Sequence, residues 1–386
     1  MACKMSWHKR LCLTTYIKGG SKIAVDWFMK KNSGIPNMFS YKDLKAATNN
    51  FSTEIGRGGF GCVYRGTLKD GTKVAVKRLH SAAGGAVDEF VAEVTALASL
   101  NHSNLVRLHG LCADNSRYLL VYEFMQNGSL HDWLFDSNRE SLDWKTRHSI
   151  ALQTARGLQY LHQDSNSRVL HLDIKPQNIL LDENFTAKVA DFGLARVLSK
   201  DQSRIVTVHV RGTPGYIAPE SVLDYKITAK SDVFSYGMVL LEIVSGRRVV
   251  DKSEICEQWY LPSIALGKMK EGKLADLFDS RIGSVSAEAG KVLERMIKLG
   301  IWCAQSNSAL RPSMSSVVQI LEGNVELLDP PVDFEFSFGP ICEEGESFKI
   351  WEKTSSMDRT QCSSSSSSCV MPAEDTRTVK FEHGRD

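Results

Sequence analysis

Two short stretches of the chain combine carboxylates, an amide and a lysine at spacings that could do chemistry. The first is His171-Leu172-Asp173-Ile174-Lys175-Pro176-Gln177-Asn178 and the second is Asp191-Phe192-Gly193. An apolar run at 179–181 follows the first, and a strand-like run at 187–190 precedes the second, so both sit on loops at strand ends. Two carboxylates and an amide within about twenty residues suit oxygen ligation of Mg²⁺. A metal there would bridge phosphate oxygens and neutralise charge that develops during transfer.

A third stretch, Gly56-Arg57-Gly58-Gly59-Phe60-Gly61, has the spacing G-x-G-x-x-G, and its neighbours choose among three kinds of phosphate binder. A Walker loop needs Lys-Ser/Thr directly after Gly61, where Cys62-Val63 stand. A dinucleotide fold needs a helix to open there. Instead 62–68 is strand-like, Asp70-Gly71 is a two-residue hairpin signal, and 72–79 is a second strand. The glycines therefore lie between antiparallel strands, where backbone N–H groups can close over a polyphosphate.

In the second strand, Val74-Ala75-Val76-Lys77, alternation puts Ala75 and Lys77 on one face. A lysine on a half-buried face is costly unless it meets anions; the alternative is an edge-strand lysine that resists aggregation. A helix is expected over 88–100, with Val87, Val91, Val94 and Leu97/Ala98 at helical spacing. Glu89 and Glu93 lie one turn apart on it, and either could reach back to Lys77. Charge alone does not choose between them.

The elements that must position these groups fit within a periodic segment of roughly 280 residues, flanked by regions of different composition. The whole chain has 386 residues, 42% of them hydrophobic and 24% charged, which excludes disorder throughout. A net charge of +2 is too small for nucleic-acid binding driven by bulk electrostatics. The nine cysteines are odd in number, spread thinly and without a C-x-x-C pair. They read as neither a disulfide scaffold nor a zinc site, and a reducing compartment follows.

Residues 1–31 carry seven Lys/Arg and one acid, Asp26. This is a solvated basic leader or a segment lying on anionic lipid, with Cys3 and Cys12 available for acylation. Ala2 after Met1 rules out N-myristoylation. Past about residue 328, Pro330-Pro331, an excess of acids and the run Ser363–Ser368 read as a disordered acidic tail, or a phosphorylatable tether. No run of about 18 apolar residues exists, so no membrane span is expected.

The ordered set G-x-G-x-x-G-x-V, Val74-Ala75-Val76-Lys77, His171-x-Asp173-x-Lys175-x-x-Asn178, Asp191-Phe192-Gly193 and Ala218-Pro219-Glu220 is similar to the signature of eukaryotic protein kinases. Gly212-Thr213-Pro214-Gly215-Tyr216, residues 231–237 (SDVFSYG) and 310–314 (LRPSM) resemble plant receptor-like kinases, relatives of Pelle and the interleukin-1-receptor-associated kinases. Residues 39–41 and 47–52, with Ile301-Trp302-Cys303, most resemble the cytoplasmic half of S-domain (G-type lectin) receptor kinases. No lectin ectodomain or membrane span is legible here.

The resemblance implies an α+β, bilobal kinase fold with this layout: a basic leader 1–38, a preceding segment 39–50, the catalytic domain 51–326 and the tail 327–386. Within the domain, a small antiparallel β-sheet lobe with one helix would cover 51–122, a hinge 123–126, and a large, mainly helical lobe 127–326. It further implies a serine/threonine protein kinase using ATP and Mg²⁺ on protein substrates, cytoplasmic, with the leader as a contact to the inner face of the plasma membrane. Neither nucleic acid nor zinc would be a partner.

By the same resemblance, Ile55, Gly56, Arg57, Gly58, Gly59, Phe60, Gly61 and Cys62 would form the loop over the nucleotide. Lys77 would hold the α- and β-phosphates and Glu93 would pair with it, leaving Glu89 a solvated neighbour. Tyr122 falls at the gatekeeper position. Backbone groups of Glu123 and Met125 would meet adenine, sandwiched by Val63, Ala75 and Leu180. Asp173 would accept the substrate proton, and Asn178 and Asp191 would hold Mg²⁺. Lys175 is the serine/threonine-type residue, braced by Thr213. Leu97, Leu108, Phe192 and His171 would stack as the regulatory spine, and Glu220 would pair with Arg311.

One departure matters. The family's usual His-Arg-Asp is His171-Leu172-Asp173, a non-RD pattern without the arginine that receives an activation-loop phosphate. Such a phosphate makes 1–3 bonds of about 1.5–3 kcal/mol each, whereas ordering a loop from 1:99 to 99:1 takes about 5.5 kcal/mol. Arg196, the main basic group left nearby, is not expected to supply that alone, so catalysis should not need phosphorylation of Ser199, Ser203 or Thr207. Two other readings stand beside this one: a nucleotide-binding pseudokinase scaffold, and a small-molecule kinase of similar fold. Intact Lys77, Glu93, Asp173, Asn178 and Asp191 argue against the first. The Ala218-Pro219-Glu220 segment and the Gly-Thr-x-Gly-Tyr loop, which shape a peptide groove, argue against the second.

Overall fold

The computed structural model describes residues 37–331, apart from 60, 81–85, 98–99, 115–116, 165–166, 200–201, 207–210 and 252–258. Most of the basic leader with Cys3 and Cys12, most of the tail, Phe60 and Thr207 lie outside the described residues.

A six-stranded sheet carries the first half of the site. Its strands are β1 (Asn37–Met38), β2 (Glu54–Gly58), β3 (Gly61–Thr67), β4 (Lys73–Leu79), β5 (Leu108–Asp114) and β6 (Arg117–Glu123), in the order β1-β5-β6-β4-β3-β2. The hairpin between β3 and β4 closes at Asp70-Gly71: Gly71 has φ 87°, and the Thr72 N–H donates to Asp70 Oδ1 at 2.9 Å. All neighbours run antiparallel except β1, which adds to β5 in parallel. The antiparallel lobe anticipated from the sequence thus carries one parallel edge strand.

Alternation sorts the two faces. Val74 and Val76 of β4 and Leu119 and Val121 of β6 point outward, into a small core with Leu44 and Cys112. Leu44 comes from helix α1 (Tyr41–Ala47), whose N-cap Ser40 accepts from the Asp43 N–H. Phe39, Tyr41 and Phe51 pack against the same core. The inner face of β6, Tyr118, Leu120 and Tyr122, meets helix α2 (Ala86–Leu97) through Phe90, Val91 and Val94. That helix begins two residues earlier than its apolar spacing suggested.

The large lobe follows with α3 (Leu130–Phe135), α4 (Trp144–Gln159), β7 (Arg168–Leu170), β8 (Ile179–Leu181), β9 (Ala187–Val189), β10 (Arg196–Leu198), β11 (Ile205–Val206), α5 (Pro219–Leu223), β12 (Lys226–Ile227), α6 (Ala229–Ser245), α7 (Leu261–Lys270), α8 (Ala287–Cys303) and α9 (Met314–Leu321). Helix α6 is buried on all sides from Ser231 to Ser245, as a helix through the middle of a core must be. Among the described residues no helix is long and apolar enough to cross a membrane.

The end of the large lobe is fastened to the start of α5. Arg311 Nη1 and Nη2 donate to Glu220 Oε1 and Oε2 at 2.7 and 2.8 Å, with the guanidinium fully buried. Its remaining N–H groups go to the carbonyls of Gln305, Lys230 and Ser306. Removing one partner strands a buried charge, so Arg311→Met should lower unfolding stability by about 3–5 kcal/mol. The Arg311→Met/Glu220→Met double variant should recover part of that loss in the same urea titration.

Candidate active site

Lys77 is the meeting point of three elements. It sits on the inner face of β4, 8% exposed, with its ammonium hydrogen-bonded to Glu93 Oε2 on α2 (3.0 Å) and to Asp191 Oδ1 (2.8 Å). Glu89 Oε1 completes the surround at 2.9 Å. Glu89 is therefore not a solvated neighbour: it is 5% exposed and faces Lys77 beside Glu93, because residues four apart share one helix face. Burial would strip the proton from Lys77, but Asp191, Glu93 and Glu89 outweigh it and push the lysine well above its usual range. Burial would also raise Asp191, which Lys77 instead holds below the usual carboxylate range. Glu89 goes the other way. Burial pushes it up to about 7, and Lys77 only partly offsets the rise.

Glu93, fully buried, has two further donors. The Tyr122 hydroxyl makes a short hydrogen bond to its Oε1, and the Phe192 N–H reaches the same oxygen at 3.3 Å. The gatekeeper side chain thus ties β6 to α2, a contact that residue spacing did not reveal.

The catalytic stretch hangs on α6. Asp232, fully buried, accepts from the His171 N–H (2.9 Å), the Leu172 N–H (2.8 Å) and His162 Nε2 (2.8 Å). Burial would push Asp232 up, yet His162 and these donors hold it low. The His171 ring donates from Nε2 to the Ala190 carbonyl (2.9 Å), accepts the Asp173 N–H at Nδ1 (3.2 Å) and stacks edge-on against Phe192 at 4.8 Å between centroids. The other two residues of the expected stack, Leu97 and Leu108, are buried in the same core.

Asp173 is held from three directions. Thr213 Oγ1 donates to its Oδ1 at 2.6 Å, while Lys175 Nζ and Asn178 Nδ2 donate to Oδ2 at 2.7 and 3.0 Å. Thr213 also accepts from Lys175 at 2.7 Å, as anticipated; its direct bond to Asp173 was not. Asn178 commits its amide nitrogen to Asp173, which leaves its oxygen as the atom to ligate a cation. The Ala190 N–H donates to the Asn178 carbonyl (2.8 Å) and joins the two chemical stretches. Oxygen donors on Asp191 and Asn178 beside a charged lysine fit Mg²⁺ with phosphate.

Val63, opposite Lys77 in the β3–β4 register, and Ala75 lie on the Lys77 face of the sheet and are partly buried, as is Leu180 of β8, while Ile55 is 46% exposed. The Glu123 N–H is donated to the Arg107 carbonyl (3.1 Å). Glu123 also binds Lys188 through both oxygens (2.9 and 2.7 Å), strapping the hinge to β9. Met125 is buried, and its carbonyl accepts the Gly128 N–H. In the glycine loop, open space surrounds Gly58 and Gly59, while a Cβ on Gly61 would lie 2.4 Å from the Arg78 carbonyl. Two side chains of the predicted loop have partners of their own. The Arg57 guanidinium is spent on Glu54 (2.8 and 2.7 Å), and Cys62 is buried 3.5 Å from His80, opposite Val63.

Residues 50–321 match the family model described as the protein kinase domain. The chain is 51% identical over 308 residues to the G-type lectin S-receptor-like serine/threonine-protein kinase SD2-5 of Arabidopsis thaliana, an alignment covering 79% of this chain and 37% of that one. A second Arabidopsis G-type lectin S-receptor-like serine/threonine-protein kinase is 47% identical, over 77% of this chain and 34% of its own length. A probable receptor-like protein kinase from the same plant is 41% identical, over 84% and 75%. The chain thus spans little more than a third of the first two relatives.

If the Tyr122 hydroxyl holds Glu93 in place, Tyr122→Phe should lower thermal-unfolding stability by about 1.5–3 kcal/mol, the worth of a hydrogen bond to a charged group. A change within measurement error would remove Tyr122 from that role.

Proposed function

The chain belongs to the protein kinase family, and we propose that it transfers the γ-phosphate of Mg-ATP to serine or threonine hydroxyls of protein substrates. The observation that carries this reading is the oriented Asp173, with donors from Thr213, Lys175 and Asn178 on its two oxygens. Its carboxylate accepts the proton of the substrate hydroxyl as that oxygen bonds to the γ-phosphorus; the bond from phosphorus to the β–γ bridging oxygen breaks and ADP departs. Lys175 lies where it can steady the transferred phosphoryl oxygens. Lys77 positions the α- and β-phosphates, and partly buried Val63, Ala75 and Leu180 hold the adenine ring. When bound at Asp191 and Asn178, Mg²⁺ supplies neutralisation of charge on the phosphate oxygens.

The names of the relatives support receptor-type signalling, for which a cytoplasmic position is the matching proposal. The basic leader supports contact with the inner face of the plasma membrane through anionic lipid.

We also propose that the activation segment needs no phosphate. Leu172 packs with Leu170, Leu198, Ile205 and Ile227 in an apolar cluster of its own. The segment is further pinned by pairing of β10 with β7 and of β11 with β12. Ser199 Oγ is buried and has no hydrogen-bond partner among the described residues, which supports a serine not presented for modification. Arg196, the main basic group left near Leu172 in the sequence, donates from Nη1 to the Leu194 and Ala195 carbonyls, and Arg211 borders the pocket that Leu172 lines.

An autophosphorylation assay with Mg·ATP tests both points. Wild type should incorporate label and Asp173→Asn should not; a folded wild type that leaves every protein acceptor unlabelled would reduce the molecule to a scaffold. The Ser199→Ala/Ser203→Ala/Thr207→Ala variant should keep at least about half of the activity, and near-complete loss would refute phosphate independence.

A further inference from the structure

Building on the phosphoryl-transfer reading, we propose that Glu89 tempers nucleotide affinity, by occupying the side of Lys77 that a phosphate oxygen must take. An ammonium has three N–H donors. Two are engaged in hydrogen bonds to Glu93 and Asp191. Glu89 Oε1 covers the third side at 2.9 Å, bent out of hydrogen-bonding geometry, and makes no hydrogen bond to any other described residue.

The three carboxylates are not equally free to give way. Asp191 has a second cation to turn to when Mg²⁺ arrives. Glu93 is kept where it is by the Tyr122 hydroxyl and the Phe192 N–H. Glu89 has no such support, so it is the group a phosphate displaces. It cannot easily retreat from the charge it meets. Its methylene and carboxyl lie against Gly193, where a Cβ would come within 2.8 Å of Glu89 Cγ and 2.9 Å of Oε1. A triphosphate approaching Lys77 therefore has to break the Glu89 pair, and whatever charge Glu89 keeps then lies beside like charge in a nearly dry site, where repulsion is strong. The cost falls on phosphates alone. Adenosine, which ends before Lys77, does not incur it.

Calorimetric titration with the β,γ-imido analogue of ATP plus Mg²⁺, set against adenosine, reads this difference. Glu89→Gln keeps the shape and removes the charge; it should bind the analogue roughly tenfold tighter while adenosine binds as to wild type. Glu89→Ala, which leaves no amide near Lys77, should shift the analogue in the same direction. Unchanged or weaker binding of the analogue by both variants would overturn the proposal, because Glu89 would then be a support of Lys77. Equal tightening of analogue and adenosine would overturn it as well, since the effect would not lie with phosphate. A wild type that binds neither compound fails the phosphoryl-transfer reading itself, a result distinct from either.

Discussion

The site depends on one buried cation. Lys77 brings carboxylates from helix α2 and from the Asp191 loop to a single point on β4, and without it three acids would crowd a nearly dry volume. A buried ion pair is weak evidence for stability, because desolvation consumes most of the Coulombic gain. Its value here is geometric. The Glu93 contact fixes how α2 lies against the sheet, and the Asp191 contact fixes where the Asp191-Phe192-Gly193 loop stands relative to it. Tyr122 then converts a two-point contact into a frame, since its hydroxyl reaches the same carboxylate from the neighbouring strand β6.

The large lobe solves the matching problem with an anion. Asp232 lies on the best-buried helix of the molecule and gathers backbone N–H groups from His171 and Leu172 together with the His162 ring. A carboxylate in a core is costly until its lone pairs are filled, and here three donors fill them. The Asp173 carboxylate accepts side-chain donors, from Thr213, Lys175 and Asn178. One aspartate anchors the loop and the next is presented by it.

Much of this was legible in the sequence, for identifiable reasons. Alternation in β4 placed Lys77 on the inner face, the Asp70-Gly71 turn placed the glycines in a hairpin, and the apolar spacing placed α2 within two residues of its start. What the sequence could not decide was competition within one face. Glu89 and Glu93 both meet Lys77, and only three-dimensional packing against Gly193 and Tyr122 distinguishes them. The Thr213–Asp173 bond and the Glu123–Lys188 strap span 40 and 65 residues, distances over which periodicity carries no information. Nor does the glycine pattern say where the Arg57 and Cys62 side chains go: in the antiparallel hairpin the first turns to Glu54 at the surface and the second to the buried far face near His80.

Two backbone conformations locate where the fold bears strain for the sake of the site. Leu172 and Asp191 have φ of 69° and 64°, in the left-handed region that side chains other than glycine rarely adopt. Each such residue costs on the order of 1–3 kcal/mol and persists only where its surroundings over-determine it. Both are over-determined here, by opposite means. The Leu172 N–H is captured by buried Asp232 while its side chain enters an apolar cluster, so strain at that residue is offset by packing that requires no ligand. Asp191 is held by the Lys77 ammonium, an ion pair in place of apolar packing. That asymmetry sets a loop fixed by apolar packing at Leu172 against one fixed by charge at Asp191.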